Sequence, residues 1–345
     1  MRYRPTLVVG IVAAVVAVAC LALVARDDPS SPPPPRDGFY VSDGRLYDAY
    51  HTEVVMRGVG HAHSLYPAQT AAVIAGAKAM GANTVRLELS TGAVRDRTSA
   101  ADVARVVALC RKHHVICVLA AYDTTGYGQR LGAVPQSEAV DYWLSVRDAV
   151  AGQERYAIIN VANEPYGLGN HHTWRADTVE SIRRLRQAGF RHTLMVDAPD
   201  WGQDRSFTMR DNAAAVFHSD PRRNTVFSIH MYGAFDRAPK VSDYLRHFVQ
   251  ARLPVVVGEF AFLHLDGEVD EDAIMAEANR YGIGYLGWSW SGNGGDVSYL
   301  DLVNGFDARA LTPWGRRLFY GPDGIAHTSR EASVYSGLLD ARRDG

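Results

Sequence analysis

The chain has 345 residues, 47% hydrophobic and 21% charged, with a formal net charge of −2. That composition supplies ample core for a globular fold. Nothing in the near-neutral charge suggests a nucleic-acid partner, which would need a basic face, and a neutral or weakly charged substrate is the easier fit.

Arg2 and Arg4 precede an uncharged, apolar run over 6–25. A basic start followed by an apolar core reads as an export signal. The run is also about the ~20 residues needed to span a bilayer. Residues 1–26 are therefore read as a signal peptide or a membrane anchor. Ala17-Val18-Ala19 offers a cleavage site and Cys20 a lipidation site. With Arg2 and Arg4 held inside, the bulk of the chain faces outward. The expected location is extracellular or anchored to the outer face of the cytoplasmic membrane, with the N-terminal segment contacting the membrane if retained. Residues 27–37, with Pro29 and Pro32 to Pro35, form a Pro-rich linker. The domain proper is expected over 38–345.

Residues 39–48 alternate around Asp43-Gly44 and predict a hairpin. Strands are then predicted over 54–58, 84–89, 115–121, 156–162, 193–197, 226–231, 253–260 and 283–288. Helices are predicted over 68–80, 100–113, 137–150, 174–188, 210–219, 242–251, 270–281 and 313–320. Alternating strand and helix implies a parallel sheet, and eight such units fit a closed (β/α)8 TIM barrel. An open doubly wound sheet usually carries a Gly-rich phosphate turn after its first strand. Gly58-Val59-Gly60-His61-Ala62-His63 lacks the third glycine and the helix start. Cys110 and Cys117 fall at a helix end and in the next strand. In an exported chain they either pair or act as small buried apolar residues.

Two of these strands end on a glutamate. The apolar run over 156–162 stops at Asn163-Glu164-Pro165, where proline cannot donate to a sheet ladder. Leu253-Pro254-Val255-Val256-Val257-Gly258-Glu259 has the same design. In a barrel both tips face one cleft. Paired carboxylates there suit glycosidic bond cleavage: one protonates the leaving oxygen, the other attacks the anomeric carbon or activates water. The remaining tips bring Arg86, Glu88, His230, Tyr232, Trp288, Trp290 and Asn293. Taken singly, each is an ordinary ion-pair or packing residue. Gathered on one rim, the Arg, His, Tyr, Trp and Asn among them form a sugar-binding set. His61 and His63, His113-His114 and His171-His172 lack a carboxylate partner at zinc-like spacing. No metal and no cofactor is required.

The chain resembles glycoside hydrolase family 5 of clan A, in its bacterial β-mannanase branch. The stretches that carry the resemblance are Met56-Arg-Gly-Val-Gly-His-Ala-His63, Gly81-Ala-Asn-Thr-Val-Arg86, Asp123-Thr-Thr-Gly-Tyr-Gly128, Asn163-Glu-Pro-Tyr-Gly167, Val196-Asp-Ala-Pro-Asp-Trp201-Gly-Gln-Asp204, Ser228-Ile-His-Met-Tyr-Gly233, Gly258-Glu-Phe260, Asp270-Glu-Asp-Ala-Ile-Met-Ala-Glu277 and Gly287-Trp-Ser-Trp-Ser-Gly-Asn-Gly-Gly295. The resemblance implies a retaining double displacement, with Glu164 as acid/base and Glu259 as nucleophile. It implies that Asn163 holds the 2-hydroxyl of the sugar at the cleavage point, that Arg86 and Tyr232 orient Glu259, and that His230 sits beside Glu164. Trp288 would floor the −1 subsite, and His63 and Trp201 would also contact substrate. Two positions depart from the pattern. Tyr122 stands where the family has a histidine that meets the −1 sugar, and Leu65 where the branch tends to carry Trp. The expected partner is β-1,4-mannan, or another β-glycan, taken by a monomer. A surface glycan-binding protein without turnover is the reading from another class.

Overall fold

The computed structural model describes Met1 and residues 33–340, with side chains to 336. The predicted signal or anchor segment and the linker up to residue 32 lie outside the described residues. Among the described residues no helix is long and apolar enough to cross a membrane. The fold resides in the unit Pro35–Gly345.

Eight parallel strands close into a barrel. They are β1 (Arg57–His61), β2 (Thr84–Leu89), β3 (Ile116–Ala121), β4 (Ala157–Asn160), β5 (Leu194–Asp197), β6 (Thr225–Met231), β7 (Val255–Phe260) and β8 (Gly284–Gly287). Each pairs with its neighbours in sequence, and β8 pairs with β1. Eight helices cover the outside: α1 (Thr70–Ala79), α2 (Ala100–Lys112), α3 (Gln136–Ser145), α4 (Trp174–Gln187), α5 (Thr208–Ser219), α6 (Ala238–Gln250), α7 (Glu271–Tyr281) and α8 (Pro313–Tyr320).

Side chains alternate across a strand with period two, and that alternation sorts the core. Ile116, Val118, Ile158, Met195, Val226, Val256 and Leu286 point into the barrel, where Phe39, Leu46, Val54 and Met56 close its lower end. Their neighbours Cys117, Leu119, Ile159, Leu194, Val196, Phe227, Val257 and Tyr285 pack outward against the helices. Truncating one such residue, Ile158 for example, costs ~2–5 kcal/mol. Continuing the inward parity toward the strand tips replaces apolar groups with Arg86, Glu88, Asn160, Asp197 and His230, all buried. The lower barrel is thus a hydrophobic plug and the upper barrel a polar basin.

Four of the differences between these boundaries and the sequence reading have a clear local cause. β1 starts three residues late, because Val54 and Met56 pack under the barrel instead of joining its ladder. β4 ends at Asn160, leaving Val161 to Glu164 as a buried, irregular tip. The predicted helix over 137–150 divides at Val146 into α3 and a short turn, Arg147–Val150. α6 begins earlier than predicted, with Pro239 in its first turn, where a missing N–H costs nothing. Cys110 and Cys117 are free, buried thiols, so the pairing alternative falls. The apolar run after Glu259 opens a small hairpin of Leu263–His264 and Gly267–Glu268.

Candidate active site

Glu164 lies four residues beyond β4, in a left-handed conformation with φ of 40°. Its backbone N–H donates to Asp197 Oδ2 at 3.2 Å, which ties the strained turn to the tip of β5. Glu259 reaches the cleft by a different device. Val255 and Val257 point outward, so strict alternation would send Glu259 outward too. The register shifts instead: Ile229 pairs with Val257, but His230 pairs with Glu259. Gly258 is the extra residue, and the bulge turns the Glu259 carboxyl inward.

Arg86 is fully buried at the centre of the basin. Its Nη1 donates to Glu259 Oε1 at 2.6 Å, its Nε to Asn160 Oδ1 at 2.9 Å, and its Nη2 to Asn163 Oδ1 and to Asp197 Oδ2. Tyr232 OH donates to Glu259 Oε2 at 2.8 Å. Each Glu259 oxygen therefore accepts one fixed donor and keeps a free lone pair toward the cleft. Asn163 Nδ2 donates to Thr125 Oγ1 at 2.7 Å.

His230 Nδ1 donates to Glu164 Oε1 at 2.8 Å. Its Nε2 lies 3.3 Å from Asp197 Oδ2, an ion pair without the alignment of a hydrogen bond. Burial alone would pull the His230 pKa down. The charges of Glu259 and Asp197, with the close contacts to Asp197 and Glu164, outweigh it and push the value up to about 10. Burial would raise Asp197, but His230, then Arg86 and Asn160, hold it down at about 2. Burial raises Glu164; the His230 bond opposes that shift and the Glu259 charge adds to it, and the net direction is upward. At neutral pH the basin therefore contains an imidazolium, a guanidinium and an ionised Asp197, and Glu164 holds its proton more tightly than an ordinary carboxyl. One oxygen of Glu164, one of Glu259 and one nitrogen of His230 lie within 4.8 Å of one another. A protonated imidazole has no lone pair for a cation, so this trio reads as proton-transfer chemistry rather than a metal site.

The cleft above has a volume of about 480 Å³, and Glu88, Tyr122, Asn163, Glu164, Trp201, Tyr232, Glu259, His264 and Trp288 are among its walls. Trp201 is set by its indole N–H on Gln129. Tyr122 is bracketed by Arg95 and Arg130, whose guanidiniums lie 4.2 and 4.9 Å from its ring centroid. Leu65 is 47% exposed and borders a smaller adjoining pocket. His63 does not join them. Its side chain is buried, with Nδ1 on Thr70 and Nε2 on Asp102, where it ties the β1 loop to α1 and α2. Proximity in sequence to His61 carried no information about which way its ring turns.

Four site residues escaped the sequence reading of roles. Asp197 and Glu88 were discoverable, since each stands two positions above an inward residue on its own strand. His264, stacked on Tyr232 at 4.3 Å, and Asp266, which takes Gln203, Arg205, His264 and the Gly233 N–H, come from the hairpin after β7 and had no periodic signal.

A (β/α)8 barrel with two buried glutamates facing each other at its C-terminal rim defines a glycoside hydrolase. Residues 47–294 match the cellulase family, glycosyl hydrolase family 5, and the chain belongs to that family. It is 55% identical over 301 residues to a mannan endo-1,4-β-mannosidase of Streptomyces lividans, spanning 87% of this chain and 78% of that one. It is 47% identical over 301 residues to a mannan endo-1,4-β-mannosidase of Cellvibrio japonicus (strain Ueda107), covering 87% and 70%. The mannohexaose complex of Thermomonospora fusca β-mannanase superposes with a TM-score of 0.84 at 51% identity, over 86% of this chain and 99% of that one.

Proposed function

We propose that this enzyme is an endo-β-1,4-mannanase that works by retaining double displacement. The observation that carries the mechanism is the separation of the two carboxyls. One oxygen of each lies within 4.8 Å of the other. That spacing suits direct attack, whereas an inverting pair stands roughly 6.5–9.5 Å apart to admit a water. The substrate reading draws on the similar proteins named above and on a cleft lined by Trp201, Trp288 and Tyr122, faces on which sugar rings stack.

In the first step a Glu259 oxygen attacks the anomeric carbon. The bond to the leaving oxygen breaks, and that oxygen takes the Glu164 proton. Nδ1 of His230 occupies Glu164 Oε1, which leaves Oε2 to carry the proton. Once the proton is gone, the His230 imidazolium stabilises the new carboxylate. In the second step Glu164 takes a proton from water, the water oxygen attacks the anomeric carbon, and Glu259 departs. All of these groups belong to one chain, so a monomer suffices. The basic and then apolar N-terminal sequence supports export, to the medium or to the outer face of the cytoplasmic membrane.

The test is incubation with mannohexaose and with cellohexaose, following products by mass and the anomer first formed by proton NMR. Short β-manno-oligosaccharides, absent with Glu259→Gln, are expected. Cleavage of cellohexaose alone overturns the substrate, and an α-anomer as first product overturns the mechanism.

A further inference from the structure

Glu88 is the carboxyl of this site to which neither the mechanism nor the resemblance gives work. It stands two positions beyond Arg86 on β2, on the inward parity, and only 2% of it is exposed. Arg86 is its nearest cation, with Nη1 3.8 Å from Glu88 Oε1. That guanidinium is already committed to Glu259, Asn160, Asn163 and Asp197. No hydrogen bond reaches the Glu88 carboxyl from the described residues. A buried carboxyl that accepts no hydrogen bond costs stability that an apolar side chain would not. Its position shows what it faces. Glu88, Tyr122 and Trp288 are the three residues common to the main cleft and to the adjoining pocket of about 190 Å³. They form the wall where one space opens into the other. The adjoining pocket is not lined by Glu164, whose proton goes to the departing chain. Trp288, which the resemblance sets beneath the −1 sugar, belongs to the shared wall, so the pocket continues the glycone side of the cleft, where the retained part of the sugar chain sits.

We propose that Glu88 is a substrate-contacting, specificity-determining residue, whose carboxyl hydrogen-bonds a hydroxyl of the glycone sugar passing from the cleft into the adjoining pocket. The proposal rests on the mannanase reading. The chemistry of the group agrees with it. Burial first, then the charge of Glu259, hold the Glu88 carboxyl well above the usual carboxylate range, which favours its protonated form. A protonated carboxyl both donates and accepts, as a sugar hydroxyl does. It also adds no third negative charge beside Glu259 and Asp197, which Arg86 and His230 already balance.

The experiment compares wild type, Glu88→Gln and Glu88→Leu on mannohexaose and on aryl mannosides that differ by one glycone sugar. Thermal unfolding is recorded for each. Glu88→Leu, which removes a buried carboxyl that accepts no hydrogen bond, is expected to unfold at or above the wild-type temperature. Its kcat/KM should fall about 10- to 100-fold for the aryl mannoside long enough to enter the pocket, and much less for the shorter one. Its product pattern from mannohexaose should shift. Glu88→Gln, which restores a donor and an acceptor, should recover most of the loss. The proposal is overturned if Glu88→Leu stays within twofold of wild type on both aryl mannosides, or if both lose equally and Gln restores nothing. Should wild type cleave cellohexaose instead, the mannan reading falls and the same criteria apply to cello-oligosaccharides. Cleavage of neither by wild type overturns both readings.

Discussion

Asp197→Asn tests the charge architecture of the basin most directly. Asp197 Oδ1 accepts from Asn160 Nδ2 at 2.8 Å; Oδ2 accepts from Arg86 Nη2 and the Glu164 N–H, both at 3.2 Å, and faces His230 Nε2 at 3.3 Å. An asparagine cannot satisfy this set in either orientation. Placed at Oδ2, its amide nitrogen opposes three donors. Placed at Oδ1, it opposes Asn160 Nδ2, and Asn160 cannot turn over because its Oδ1 holds Arg86 Nε. The depression of the Asp197 pKa from 3.8 to about 2 is worth roughly 2 kcal/mol at neutral pH. Leaving a buried cation unpaired raises the cost to ~3–5 kcal/mol, or on the order of 10 °C in Tm. The folded value lies below the unfolded one, so the stabilisation is complete above about pH 4 and is lost as pH falls through about 2. Unfolding curves of wild type and variant should therefore differ most near pH 7 and converge as pH falls below 4. The Asp197 charge also helps hold the Glu164 pKa up, so without it the basic limb of kcat/KM should move to lower pH. A Tm within 2 °C of wild type at pH 7, or a gap undiminished toward pH 2, refutes the reasoning.

Tyr232→Phe removes one charge-assisted donor from Glu259 and nothing else in the basin. We expect kcat to fall about 10- to 100-fold, with oligosaccharide binding little changed; equal loss in both would show a structural role instead. In wild type, activity should decline at high pH as Glu164 loses its proton, and the elevated pKa places that limb above the ordinary carboxylate range; a basic limb near 4.5 would contradict it. Gly60→Ala would put a Cβ 2.5 Å from Trp288 Cε3. Displacing that indole should lower kcat/KM about tenfold and cost ~1–3 kcal/mol, and unaltered kinetics would place Trp288 outside the sugar site. A thiol reagent should leave Cys110 and Cys117 unmodified in the folded protein and label both in denaturant; a reductant-dependent Tm would overturn their free state.

The hydrophobic pattern was enough to number the strands, because a strand buried on both faces must be a short apolar run and the turns between must be polar. The same pattern located Glu164 and Glu259, since a carboxyl can follow such a run only where the barrel opens to solvent. It could not separate His61 and His63 from the cleft residues, because loop geometry has no period. Asp197 was legible in hindsight through parity with Met195. As an acid in a loop-bordering strand, it carried no mark of the two cations it would meet.

Sequence alone determined that this chain is an eightfold alternation of strand and helix with acids at two strand ends, because burial forces period and period is written residue by residue. Tertiary structure decided what those acids are. Gly258 shifts the register so that Glu259 faces in, a decision made by its pairing with β6 and invisible in Val-Val-Val-Gly-Glu itself. The charges of Glu259 and Asp197 overcome burial and make His230 a cation, and that cation sits against Glu164. Charge states depend on what lies within a few ångströms in space, and β2, β4, β5, β6 and β7 become neighbours around one guanidinium only when the barrel closes.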